Sequence, residues 1–129
     1  MCLLASADAW TASSIQCSAV SHRDPRNPLR RGGRLDAICG IEYGLQTMAV
    51  HGALLDGTPH RPGFLSSLRN IEIVECDLAT LAAPLQVEAD LLLRESRGLI
   101  YRFSVSANGT RYISGQASIM IPPTPGEER

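Results

Sequence analysis

Hydrophobic positions recur at helical spacing convincingly only once in the chain, from about Leu35 to Leu55. There Leu35, Ile38, Ile41, Leu45 and Met48 follow one another at intervals that return to one side of a helix. Asp36 stands where a helix is capped or begun, and Gly57 and Pro59 lie just beyond its end, so start and stop signals agree with the periodicity. The remaining faces carry Ala37, Gly40, Gly44, Ala49, Gly52 and Ala53. Small residues let another backbone approach closely, at some cost in helix propensity. The pattern therefore predicts one long central helix, buried on most sides.

After that helix the period changes to two. Leu85, Val87, Ala89, Leu91 and Leu93 alternate with Gln86, Glu88, Asp90, Leu92 and Arg94. Tyr101, Phe103, Val105 and Ala107 form a second alternating set, and Ile113, Gly115, Ala117, Ile119 and Ile121 a third. Such alternation marks strands with one buried face. Ser96-Arg97-Gly98 and Asn108-Gly109 separate them, the latter a strong hairpin signal because both turn residues tolerate positive φ. An earlier strand is expected at Ser67 to Cys76, and two shorter ones near Cys2 to Trp10 and Ser14 to Val20.

One helix cannot cover both faces of six strands, so the expected α+β architecture is a curved antiparallel sheet of about six strands wrapped around that helix. Residues 1–121 make one domain, and Pro122 to Arg129, rich in proline and charge, is expected to be a disordered tail. An open sheet edge invites dimerisation. At 129 residues a single core of ordinary size is feasible. The net charge of -1 offers no positive field for nucleic acid, and no segment is long and apolar enough to span a bilayer. Cys2, Cys17, Cys39 and Cys76 show neither zinc-ligand spacing nor close pairing, so no metal is expected; they read as reduced thiols of a cytoplasmic protein. The apolar opening Met1 to Ala5 lacks the basic region and length of a signal peptide.

Two stretches carry a resemblance. Ser21-His22-Arg23-Asp24-Pro25-Arg26-Asn27-Pro28-Leu29, followed by Gly40-Ile41-Glu42-Tyr43-Gly44-Leu45-Gln46-Thr47-Met48-Ala49, resembles the hotdog-fold 3-hydroxyacyl-[acyl carrier protein] dehydratases. Nearly the whole chain is similar to the small members of aryl polyene pathways. In that family a loop histidine precedes a Gly-Asn-Pro-like turn, matched by Arg26-Asn27-Pro28, and a helix acid is followed four positions later by Gln, matched by Glu42 and Gln46. The chain departs in a longer basic loop, Arg30-Arg31-Gly32-Gly33-Arg34, and in beginning inside what resembles the first strand. The resemblance implies a hotdog fold, dehydration of a 3-hydroxyacyl thioester, His22 as base and Glu42 as acid. It further implies sites shared across a homodimer or a heterodimer with a related subunit. No cofactor is implied beyond the phosphopantetheine thioester, presented by acyl carrier protein or coenzyme A.

The residues can be weighed on their own chemistry. Dehydration needs a base for the C2 proton, an acid for the departing hydroxyl, and a donor to the thioester oxygen. A carboxylate amid an apolar, glycine-rich helix is costly to bury, and desolvation would raise its pKa toward a general acid's range, which favours Glu42 independently. Gln46, one turn on, can orient it. The bland alternative is a solvated stripe or an interface hydrogen bond. His22 beside Arg23 and Asp24 reads by itself as a surface residue, His51 as core or interface packing, and His60 as solvated. Backbone N–H groups around Ala37 to Gly40 offer an oxyanion site at the helix start. Asn27, Pro28, Cys39 and Gly40 complete the expected substrate-binding set, Cys39 as an inert thiol at the pocket wall. The arginine run is read either as a phosphate or carrier-protein contact or, preferably, as a solvated loop. Two competing functions share this fold, an acyl thioesterase that needs no loop histidine and a non-catalytic subunit that completes an active homologue.

Overall fold

The computed structural model describes residues 1–56 and 63–122. Gly57, Pro59, His60 and all but the first residue of the expected tail lie outside the described residues. Two short strands, β1 (Ser6–Trp10) and β2 (Ser14–Ala19), precede a helix, α1 (Gly40–Asp56). Four longer strands follow: β3 (Phe64–Ile73), β4 (Leu85–Glu95), β5 (Gly98–Ala107) and β6 (Thr110–Met120). They form one antiparallel sheet in the order β1-β2-β4-β5-β6-β3, so α1 carries the chain from one side of the sheet to its far edge.

The period-two sets face the helix as expected. Ile15, Cys17 and Ala19 of β2, Leu85, Val87 and Ala89 of β4, and Phe103 and Val105 of β5 are all buried, with Ile113 and Ala117 of β6 completing the wall. Asn108 and Gly109, at φ 50° and 82°, form the β5–β6 turn, the double positive-φ geometry that this dipeptide favours. Alternation on β4 stops at a bulge between Leu91 and Leu93, which leaves Leu92 and Leu93 exposed rather than alternating.

The boundaries of three elements differ from the sequence pattern. β3 begins three residues earlier than Ser67 and ends at Ile73, because the chain then dives beneath the helix start, where the Cys76 carbonyl accepts the Ala37 N–H at 3.1 Å. β1 begins at Ser6, since the segment before it peels off to the helix. The helix starts at Gly40 after a 3-10 turn over Ala37–Cys39. Asp36 makes no side-chain cap there; its carboxylate pairs with Arg34.

The periodicity leaves open which face of α1 lies on the sheet. Its buried residues are Gly40, Tyr43, Gly44, Thr47, Met48, His51 and Gly52, a full helical stripe. Of the apolar series, Leu35 and Met48 are buried, Ile41 and Leu45 are only half-buried on the flank, and Ile38 is 54% exposed. The small residues win the inner face because they let the helix sit directly on the sheet. A Cβ at Gly40 would lie 2.6 Å from Ile113 Cγ2, and one at Gly44 2.7 Å from the Phe103 ring. The polar residues in the stripe are admitted because each finds a partner. Thr47 Oγ1 donates to the Tyr43 carbonyl at 3.0 Å, and His51 bridges the Tyr101 hydroxyl and the Thr11 carbonyl, both at 2.8 Å.

Candidate active site

Two structures meet above the N-terminal half of α1: the turn that carries His22, and the helix face that carries Glu42. The turn is short, a 3-10 segment over Ser21–Arg23, and is tied down by side chains rather than by length. Asn27 is 97% buried by difference from its 3% exposure. Its amide nitrogen donates to the Ser21 carbonyl at 3.0 Å and to the Tyr43 hydroxyl at 3.1 Å, while its oxygen accepts the Leu29 N–H at 2.9 Å. Ser21 Oγ also meets Tyr43 Oη at 2.8 Å. Tyr43 thus presents its ring to the core and its hydroxyl to the loop, and burial pushes its phenol above the usual range.

His22 has no exposed surface in the single chain. This corrects the reading of a loop histidine as a surface residue: the turn folds it inward against the loop after the 3-10 turn Leu78–Thr80. Its Nε2 lies 3.1 Å from the carbonyl oxygens of both Leu81 and Ala83, so Nε2 carries the proton and Nδ1 the lone pair. Nδ1 is buried without a hydrogen-bond partner among the described residues. Burial lowers the imidazole's pKa, with Arg23 and Arg30 acting in the same direction, against the two carbonyls that raise it. A histidine lowered in the folded state contributes stability that is complete above its unfolded value near 6.5 and is lost as pH falls through that value toward the folded one. The thermal midpoint should therefore drop as pH is taken from 7 to 5. His22→Asn should flatten that slope; an unchanged slope would assign the acid sensitivity to other groups.

Glu42 occupies the opposite situation. It is exposed and makes no hydrogen bond or ion pair among the described residues, so the burial expected for it is not achieved within one chain. The reason is its place on the helix: Glu42 shares the outward side with Ile38, Leu45 and Ala49. No hydrogen bond or ion pair joins His22 to Glu42 among the described residues. Gln46, one turn beyond Glu42, gives its oxygen to the Leu3 N–H at 2.8 Å and a nitrogen to the Met1 carbonyl at 3.4 Å.

The rest of the expected set divides in the same manner. Gly40 is buried against Val105 and Ile113. Cys39 is half-buried with its thiol 3.9 Å from the Leu29 carbonyl, and burial raises its pKa, as suits an unreactive thiol. Pro28 is exposed, its carbonyl accepting from Arg31 at 3.0 Å. At the helix start, the N–H groups of Ala37, Cys39 and Gly40 are already bonded to carbonyl oxygens, which removes most of the expected oxyanion donors. Arg26 and Arg34 pair with Asp24 and Asp36. Arg23, Arg30 and Arg31 donate to backbone carbonyls instead, Arg30 to that of His22 at 3.1 Å. Among the described residues no cluster of three or more His, Cys, Asp or Glu side chains could hold a metal ion.

Sequence reasoning passed over Tyr43, Ser21 and Asp77. Asp77 Oδ1 accepts N–H groups from Leu35 at 2.9 Å and Ala79 at 3.0 Å; the Leu35 bond foremost lowers its pKa and fastens the helix entry. The available signal was chemical: a polar-tipped aromatic on a buried helix needs a partner, and an Asp before a short turn is a cap.

An apolar cavity of about 230 Å³ continues along the C-terminal half of α1, lined by Leu45, Met48, Ala49, Leu99, Tyr101 and Ile119 among others. Tyr101, buried with its hydroxyl on His51, has its phenol pKa pushed up to about 12.

One long helix laid on a curved, six-stranded antiparallel sheet defines the hotdog class. The model of the ApeP-like family, described as ApeP dehydratase, matches residues 1–128, and the chain belongs to that family. Its structure is similar to the dehydratase heterocomplex ApeI:P from Xenorhabdus doucetiae, with TM-score 0.78 at 19% identity over 95% of this chain and 84% of the other. It is similar too to a mutant thioesterase from Pseudomonas aeruginosa, with TM-score 0.65 at 11% identity over 91% and 80%. A mutant thioesterase from Staphylococcus aureus gives 0.67 at 13% over 92% and 93%. No curated protein sequence matches the chain. No described helix is long and apolar enough to cross a membrane.

Proposed function

We propose that the chain is one half of a hotdog dehydratase dimer that removes water from a 3-hydroxyacyl thioester, leaving the trans-2-enoyl thioester. The observation that carries this reading is Glu42, an uncommitted carboxylate on the outward side of α1 among Ile38, Leu45 and Ala49. A partner covering that side removes water from around the carboxyl group, the enclosed setting in which an acid hands its proton to a leaving group. Glu42 then protonates the departing C3 hydroxyl, which leaves as water. His22 takes the C2 proton on Nδ1, the nitrogen that its two carbonyl contacts leave as the base, and the electrons of the broken C–H bond form the C2–C3 double bond. The substrate rides on phosphopantetheine, carried by acyl carrier protein or coenzyme A. The Arg23, Arg30 and Arg31 guanidinium groups beside the His22 turn supply positive charge for its phosphate. The partner is a related hotdog subunit or a second copy, as the similar ApeI:P protein is itself a heterocomplex. Four free thiols suit the cytoplasm.

A second reading, a subunit that supports an active homologue without doing chemistry, is favoured by one observation: His22 is wholly enclosed in the single chain. The test is to supply a 3-hydroxyacyl thioester to the chain alone and mixed with a related hotdog subunit, recording enoyl absorbance and free thiol. Enoyl product without thiol is expected from the assembled dimer. Thiol release without enoyl product means a thioesterase. Activity of the mixture unaffected by Glu42→Gln and His22→Ala identifies this chain as the silent partner.

A further inference from the structure

We infer that Gln46 is a positioning residue that works through Leu3, clasping the turn of His22 onto the helix of Glu42, rather than orienting Glu42 directly. The inference deepens the dehydratase reading and rests on it for its kinetic part only.

The amide of Gln46 is directed at the N-terminal segment. Its oxygen accepts the Leu3 N–H at 2.8 Å, and its nitrogen donates to the Met1 carbonyl at 3.4 Å. Leu3 is the centre of the arrangement, with its side chain 3% exposed in the core and its own carbonyl accepting Ser21 Oγ at 2.7 Å. Ser21 Oγ meets Tyr43 Oη at 2.8 Å, and Tyr43 lies three residues before Gln46 on α1. The contacts therefore close a ring: Gln46 to Leu3, Leu3 to Ser21, Ser21 to Tyr43, and back along one turn of helix. Ser21 is the residue directly before His22, so the ring sets how far that turn stands from the helix. One further bond, Ala5 N–H to the Ser18 carbonyl at 2.8 Å, hands the segment over to the sheet. Glu42, one turn before Gln46, takes no part in any of these bonds.

This assignment separates from a direct role of Gln46 on Glu42 by a double-mutant cycle. Gln46→Leu removes both hydrogen bonds while keeping an apolar side chain of similar length, and Leu3→Ala removes the buried anchor. Each should raise amide hydrogen exchange across residues 21–27 by about tenfold, the scale of one lost hydrogen bond, and lower kcat of the assembled dimer by a similar factor with KM within about twofold. Combined, they should do no more than the worse single variant, because both open the same clasp. Gln46→Glu, whose carboxylate still accepts the Leu3 N–H, should restore most of the exchange protection. Ser21→Ala, which cuts the ring at its other side, should repeat the exchange result if Leu3→Ala proves too unstable to use. The inference is overturned if Gln46→Leu lowers kcat while exchange at 21–27 is unchanged, or if the two single effects multiply. Exchange needs no substrate, so a dimer without dehydratase activity would refute the functional reading and still leave the clasp decided.

Discussion

Replacing Glu42 with Gln should lower kcat/KM for enoyl formation by the assembled dimer at least about a hundredfold, the usual scale for losing a general acid, and leave the thermal midpoint of the chain where it was. The two halves of that expectation have separate causes. The carboxylate is exposed and makes no hydrogen bond among the described residues, so removing its charge disturbs no native contact. The amide is nearly isosteric and keeps a dipole, but it cannot deliver a proton to the leaving hydroxyl. The measurement is enoyl absorbance with purified protein, alongside a melting curve of the variant. Retention of more than about a tenth of the activity would return Glu42 to the solvated stripe that the sequence also allows. A large fall in melting temperature would point instead to a structural role in the dimer.

The second large effect concerns stability. Gly44→Val should destabilise the chain by about 3 kcal/mol, and Gly44→Ala by about 1–2 kcal/mol, in denaturant melts. Helix propensity alone predicts the opposite for alanine, which gains about 1 kcal/mol over glycine in a helix interior. Overpacking decides the sign. The added Cβ would stand 2.7 Å from Phe103 Cδ2 and 3.1 Å from Cγ, atoms near the root of a ring that is only 2% exposed and has little room to turn. Valine adds two methyl groups to the same clash and loses χ1 freedom in the helix. A neutral or stabilising Gly44→Ala would show that the helix can lift off the sheet cheaply, and would take the physical basis from the small-residue packing of α1 on the sheet.

The face that α1 turns to the sheet governs the setting of the site residues. Glu42 and Gln46 were picked out by a charge on an apolar helix and by their spacing, Asn27 by resemblance; the first two stand on α1 and Asn27 is buried behind the turn of Ser21 and His22. Their partners were not foreseen. Glu42 was expected to be buried because the helix around it is apolar, yet in one chain the apolar residues beside it face outward too. An unusual charge in an apolar setting is the same pattern whether the setting is a core or an uncovered face. His22 ran the other way: a histidine flanked by Arg23 and Asp24 reads as surface, but Asn27 and Tyr43 hold its turn closed, and that closure depends on residues far along the chain. Gln46 has a visible neighbour in Glu42 one turn away, whereas its actual partner is Leu3, 43 positions distant.

Legible in the amino-acid sequence alone were the six strands and the long helix, the inward faces of β5, β6 and the first half of β4, and the Asn108-Gly109 turn. Those features follow from short-range periodicity and from backbone preferences local to a few residues. Only the tertiary structure decided which side of α1 lies on the sheet, where β1 and β3 begin, and which groups Gln46 and His22 bind. Each of these is settled by contact between distant segments: glycine against Phe103 and Ile113, and side-chain amides against whichever backbone the sheet's curvature brings near. Glu42 stands where the two kinds of information meet, marked as unusual by its local sequence and given its setting by the face the helix turns outward.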